Sequence, residues 1–144
     1  MEWTDLTYPV DLRPDDNDTI LVTMPGLPGA TFGSDRADAL VKAQAFLIDA
    51  LEFFMTAREP IPAPVKRGRL RVGLPPSVAL KVRLYQALLD ANISKARLAE
   101  QMGQPKQQID RLFKLRYRSR VDQLDAAFAA LGLAVDQLQF RKTA

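Results

Sequence analysis

The 144-residue chain contains no cysteine and no histidine. Without cysteine there is no disulfide, no thiol nucleophile and no thiolate metal site. Without histidine the commonest general base and the commonest metal ligand are missing too. Aromatic residues make up only 8% of the chain, with one tryptophan and three tyrosines. The stacking platforms that single-stranded nucleic acid requires are therefore scarce, and Tyr117 stands nearly alone in its region. The longest apolar run, residues 126–135, is too short to cross a bilayer and contains Gly132. The opening MEWTDLTYPV is acidic and mixed, unlike a secretory leader. These absences lead us to expect a soluble, cytoplasmic protein with no membrane partner; no cofactor motif is evident, and on the whole pattern no cofactor, no metal site and no enzymatic activity are expected.

What is present is an ordinary globular composition, 47% apolar and 26% charged, in a length suited to one domain or two small ones. The net charge of +3 conceals a segregation. Residues 1–60 hold four Lys/Arg against eleven Asp/Glu, a net of −7, and residues 61–144 hold sixteen against six, a net of +10. A solvated surface needs charge but not this separation. Two modules with different partners follow, the basic one suited to a polyanion and the acidic one to a cationic partner.

The most informative stretch runs from Ser94 to Arg120. Ser94 can N-cap a helix with Leu98, Ala99 and Met102 on its apolar face. Gly103 stops it, and Pro105 suits the first turn of a second helix. Ile109, Leu112 and Phe113 form the buried stripe of that second helix. Small Ala99 allows close approach. The pattern is that of a helix-turn-helix, whose second helix enters the major groove of DNA. Gln104 departs from it, since an apolar residue is commoner directly after the turn glycine.

On the outward face lie Lys106, Gln107, Gln108, Asp110, Arg111 and Lys114, followed by Arg116, Tyr117, Arg118 and Arg120. Gln reads adenine edges and Arg or Lys reads guanine. Lys106, Gln107, Gln108 and Arg111 are accordingly the candidate base readers. Lys114, Arg116, Arg118 and Arg120 are candidate phosphate contacts, with Tyr117 among them and Lys95 reaching the backbone from the first helix.

Earlier in the chain, residues 6–13 alternate as a strand with one buried face, in which Pro9 implies an edge. Residues 14–18 have turn chemistry, Thr19 to Met24 form a second strand, and Ala30 to Gly33 a short third one. Ser34 or Asp35 caps a helix to about Ala57, with Leu40, Leu47, Leu51 and Phe54 as its stripe, widened by Ala43, Phe46 and Ala50. The proline-rich segment 59–64 separates the acidic part from the basic one. Residues 69–74 alternate as a strand that either returns to the N-terminal sheet or pairs with its copy in a second subunit. A helix from Pro75-Pro76-Ser77 to about Ala91 buries Val78, Val82, Tyr85, Leu88 and Leu89. Ser119 caps a last helix with Val121, Leu124, Phe128 and Leu131 inside, and Leu133 to Phe140 form a short strand or a dimer contact. The expected division is 1–58 as an acidic β-β-β-α unit, 59–76 as linker plus strand, and 77–144 as a basic helix-turn-helix and dimerisation unit.

In its order of motifs the chain resembles the HicB family of antitoxins from type II toxin–antitoxin systems, in the subgroup that carries a helix-turn-helix. The likeness rests on Tyr8-Pro9-Val10, the turn Pro14-Asp15-Asp16, the strand ending at Met24, Pro25-Gly26-Leu27-Pro28-Gly29, the capped helix after Gly33, and Glu59-Pro60-Ile61-Pro62. It continues in Ala99-Glu100-Gln101-Met102-Gly103, Arg111-Leu112-Phe113, Asp122-Gln123-Leu124-Asp125-Ala126 and Ala130-Leu131-Gly132. The resemblance implies an α+β fold: a truncated RNase H-like β-β-β-α-β domain followed by an all-α helix-turn-helix domain. It further implies a HicA-like toxin partner, a small basic mRNA-cleaving protein, repression of the operon through double-stranded operator DNA, and a homodimer or higher homo-oligomer. Half-sites would then lie one helical turn, about 34 Å, apart.

Asp11, Asp15, Asp16 and Asp18 are the candidate toxin-facing residues. They also read as a solvated turn. An RNase H-like fold invites a nuclease reading, since metal-dependent nucleases use carboxylates alone. The aspartates, however, gather in one turn beside Asn17 rather than facing each other from strand centres. The alternative reading is a stand-alone helix-turn-helix repressor whose N-terminal domain senses a ligand or only dimerises.

Overall fold

The computed structural model describes residues 6–134. Its elements, in chain order, are β1 (Tyr8–Pro9), β2 (Asp11–Pro14), β3 (Ile20–Thr23), β4 (Thr31–Gly33), α1 (Arg36–Thr56), β5 (Arg71–Val72), α2 (Pro76–Asp90), α3 (Lys95–Met102), α4 (Lys106–Leu112) and α5 (Val121–Ala130). The α+β class implied by the resemblance is therefore observed, with four strands before α1, a fifth between α1 and α2, and helices alone thereafter.

One expected strand, residues 6–13, is divided. Val10 lies between β1 and β2 and donates its N–H to the Leu70 carbonyl at 2.9 Å. β1 pairs antiparallel with β5, with Tyr8 opposite Val72, while β2, β3 and β4 form a separate antiparallel sheet. Proline at position 9 cannot donate to a ladder, which suits a two-stranded edge and a change of partner one residue later. The strand expected over 69–74 is shorter, Arg71–Val72, and its partner lies within the chain. Arg71 fixes it there: its guanidinium donates to the Thr7 carbonyl at 2.7 Å, the Val65 carbonyl at 3.0 Å and the Arg67 carbonyl at 3.3 Å.

α1 packs across β3 and β4. Asp35 is its N-cap and accepts from the Asp38 N–H at 2.8 Å, and Asp38 reaches back to the Ser34 N–H at 2.8 Å. This is a reciprocal capping arrangement, and the Ser34 N–H holds the Asp38 carboxyl below the usual aspartate range. The buried stripe is Ala39, Ala43, Leu47, Ile48, Leu51 and Met55. The expected stripe is thus rotated: Leu40, Phe46, Ala50 and Phe54 are only partly buried. Gly33 explains the register. A Cβ there would lie 2.4 Å from the Ala39 Cα, so the β4–α1 junction closes only over glycine.

The segment 59–64 carries no regular structure, and two tyrosines pin it: Tyr8 donates to the Pro62 carbonyl and Tyr85 to the Glu59 carbonyl, both at 2.6 Å. Burial pushes the Tyr85 hydroxyl's pKa up. Val22, Leu47, Leu51, Val82, Leu88, Leu98 and Phe128 belong to one continuous apolar core, which therefore runs from the sheet into the helices. The last helix departs from expectation. Arg120 is its N-cap, without a side-chain cap bond, and Ser119 Oγ is buried without a hydrogen-bond partner among the described residues. Leu124, Ala127 and Phe128 are buried, but Val121 is 65% exposed and Leu131 half-buried. The strand or dimer contact expected over Leu133 to Phe140 falls almost wholly outside the described residues.

Candidate nucleic-acid interface and acidic face

Ser94 caps α3, accepting from the Arg97 N–H at 3.0 Å. The helix ends at Gly103, whose φ of 63° is left-handed, and whose N–H returns to the Ala99 and Glu100 carbonyls. Pro105 sits one residue earlier than expected, as the N-cap of α4 rather than within its first turn. Its carbonyl receives the Gln108 N–H at 3.0 Å. Leu98 and Ala99 of α3 and Ile109 and Leu112 of α4 are buried, so the two short helices meet on their apolar faces. Phe113 and Leu115 close the end of this pair, both buried.

The opposite face of α4 is polar and open: Lys106, Gln107, Gln108 and Arg111 are all exposed. Lys114, Arg116, Tyr117, Arg118 and Arg120 follow along the adjoining loop and are also exposed. The nominated residues therefore lie on two consecutive segments, but they are not equally available. Arg116 is ion-paired with Asp49 of α1 and donates to the Ala45 carbonyl at 3.3 Å. Arg120 pairs with Asp122 at 3.1 Å. Lys95 is half-buried, with Nζ 5.2 Å from the Phe113 ring centroid. Burial lowers its pKa against the attraction of Asp110. The Arg111 guanidinium lies 5.3 Å from the centre of the Tyr117 ring.

One residue that organises this surface was not nominated from the sequence. Lys81 of α2 is only 2% exposed. Its Nζ donates to three carbonyls, Arg111 at 3.0 Å, Lys114 at 2.8 Å and Tyr117 at 2.5 Å. It thus satisfies carbonyls at and beyond the end of α4, where a helix has acceptors without intrahelical donors and favours positive charge. It also lies 5.5 Å from the Tyr117 ring. Burial pulls its pKa down to about 8, while the Glu52 carboxylate pulls the other way. The signal was in the sequence: Val78, Lys81, Val82, Tyr85 and Leu88 share one helical face, so a lysine stands in a buried stripe. Glu52 of α1 adds a second tie, its Oε1 accepting the Leu115 N–H at 3.0 Å.

On the acidic side, Asp11 lies in β2, and Asp15, Asp16 and Asp18 in the β2–β3 turn; all four are exposed. The turn is closed by the Asp15 N–H on the Thr19 carbonyl and the Asp16 N–H on Asp15 Oδ1, both 2.9 Å. Asp18 adopts a positive φ of 57°, which aspartate tolerates better than most residues. On α1, Phe53 is 66% exposed and borders a shallow apolar groove with Pro28, Phe46, Asp49, Ala50 and Phe54. Among the described residues no helix is long and apolar enough to cross a membrane.

A small sheet-and-helix unit sharing its core with a set of short helices, with opposite net charge on the two parts, defines a small α+β protein of mixed, charge-segregated architecture. Comparison with known proteins makes this particular. The family model described as the HicB_like antitoxin of bacterial toxin-antitoxin system matches residues 7–83. Antitoxin HicB 1 of Photorhabdus laumondii is 38% identical over 128 residues, which cover 88% of this chain and 83% of that protein. Antitoxin HicB of Escherichia coli K12 is 35% identical over 130 residues, 88% and 94% of the two chains. The chain belongs to the HicB-like family of bacterial antitoxins. The family match ends within α2, whereas the alignments with these relatives are long enough to enter the helical part.

Proposed function

We propose that this chain neutralises a small, basic, HicA-like toxin through its acidic N-terminal part, and represses its own operon through α3 and α4 acting as a helix-turn-helix. The observation that carries the DNA half is the two-sidedness of α4. Ile109 and Leu112 are buried against α3, while Lys106, Gln107, Gln108 and Arg111 face outward beside a loop rich in arginine. An exposed row of amide and cationic side chains on a short, firmly packed helix suits base edges in a major groove. Lys114 and Arg118 are the phosphate contacts most at liberty. Arg116 and Arg120 join them once released from Asp49 and Asp122, Tyr117 shapes the loop, and Lys95 approaches the backbone from α3. The acidic half, with Asp11, Asp15, Asp16 and Asp18 unpaired by any ion pair found among the described residues, suits a cationic protein surface. Division at 58 and 76 assigns toxin binding to the first part and DNA binding and self-association to the last, and no enzymatic step is required of either.

The DNA half is tested by anisotropy titrations on a duplex from the promoter upstream of the chain's own gene and on a random duplex. Gln107→Ala is expected to cost about 1–3 kcal/mol on the promoter duplex alone. Arg118→Ala is expected to weaken both duplexes alike and to lower the salt slope by about one. Equal losses on both duplexes for both variants would overturn this assignment of roles.

A further inference from the structure

The basic loop after α4, residues 113–120, is held from two sides by residues that would themselves touch no DNA. From α2, Lys81 donates to the carbonyls of Arg111, Lys114 and Tyr117. From α1, Glu52 accepts the Leu115 N–H at 3.0 Å, and Leu115 is buried. The backbone is thus bound at one point in the last turn of α4 and at three in the loop, Lys114, Leu115 and Tyr117, while the side chains of Lys114, Arg116 and Arg118 are exposed. Loops with few internal hydrogen bonds sample many conformations, and each must be given up when phosphates are gripped. Fixing the backbone beforehand removes that loss, but only for DNA whose phosphates match the fixed spacing.

Resting on the reading of α3 and α4 as a DNA-binding pair, we propose that Glu52 and Lys81 are positioning residues for operator recognition. In this arrangement α1, part of the sheet-bearing region, sets the geometry of the phosphate-contact loop. Glu52 is the more telling of the two, because charge and geometry predict opposite results for it. A carboxylate near a DNA-binding loop repels phosphate, so electrostatics alone makes its removal favourable on any DNA. As an acceptor for the Leu115 N–H, however, it aids the matched site.

Two conservative variants separate these effects in the full chain. Glu52→Gln removes the charge and keeps an oxygen at the same reach. Glu52→Asp keeps the charge and withdraws the oxygen by one methylene. The positioning role predicts that Glu52→Asp binds the promoter duplex about tenfold more weakly while its affinity for a random duplex is unchanged, one charge-assisted hydrogen bond being enough for that factor. It predicts promoter affinity at least as high as wild type for Glu52→Gln. Amide hydrogen exchange gives a readout independent of DNA: Leu115 should lose protection in Glu52→Asp and retain it in Glu52→Gln. Wild-type promoter affinity in Glu52→Asp would overturn the proposal whether or not Leu115 keeps its protection, as would unprotected Leu115 in the wild type. A wild-type chain that fails to distinguish promoter from random duplex would overturn the DNA reading itself, and that failure is separable because Leu115 protection is read without DNA.

Discussion

Replacing Lys81 with methionine is the most informative single perturbation of the fold. Methionine keeps most of the apolar stem that α2 buries, so little packing is lost. What disappears is the ammonium that satisfies the Arg111, Lys114 and Tyr117 carbonyls. A hydrogen bond from a charged donor contributes about 1.5–3 kcal/mol. Three such bonds would exceed the whole effect, because burying the cation has its own cost, visible in a pKa pulled down to about 8. The three carbonyls also belong to residues at the surface, so water can reach some of them once the lysine is gone. We therefore expect Lys81→Met to lose about 3 kcal/mol at pH 7, a large share of the stability of a chain this size. Urea unfolding followed by circular dichroism measures this as a lower midpoint with the slope unchanged. The pH dependence carries a definite sign. Lys81 has a lower pKa folded than unfolded, so between about pH 8 and the unfolded value the unfolded chain binds more protons. The cost of burying the charge is fully present below pH 8 and is relieved as pH rises through that window. Wild type should therefore gain on Lys81→Met from pH 7 to 9.5, by at most about 1.4 kcal/mol per pH unit. A variant as stable as wild type at pH 7, or a gap that narrows with pH, would refute this reasoning.

Two further substitutions test local geometry. Gly33→Ala places a Cβ 2.4 Å from the Ala39 Cα at the β4–α1 junction, where backbone, not a movable side chain, must give way; a loss of about 3 kcal/mol in urea unfolding is expected. Gly103→Ala meets no steric neighbour, but its φ of 63° is left-handed, so only the intrinsic penalty of about 1–2 kcal/mol should be measured.

Much of this architecture is legible in the sequence because short-range rules decide it. Ser94 and Gly103 announce helix ends by chemistry that acts within a few residues, and the structure uses both as read; of Ser34 and Asp35, the two caps open for α1, it uses Asp35. The misreadings share another cause: they depend on partners distant in the chain. Alternation over residues 6–13 could not show that Val10 turns to Leu70 and divides the strand between two sheets. The α1 stripe rotated because Gly33 brings Ala39 against the sheet, a contact between elements. Ser119 has cap chemistry, but α5 begins a residue later than its position required. At the candidate interface, the outward row of α4 was readable from spacing alone. The pairing of Arg116 with Asp49, 67 residues away in sequence, and the hold of Glu52 on Leu115 were not. Lys81 falls between these cases, since its place on an apolar face was visible but its three acceptors come from a loop whose path no local rule specifies.

The central claim is that this chain is an antitoxin, and growth rescue tests it most directly. The locus is sequenced for a small basic reading frame adjacent to the gene, which is induced alone and then together with the full chain. The account predicts growth arrest on induction of the neighbour and recovery when the full chain is present. Arrest that persists with abundant, folded full chain in the same cells would contradict it.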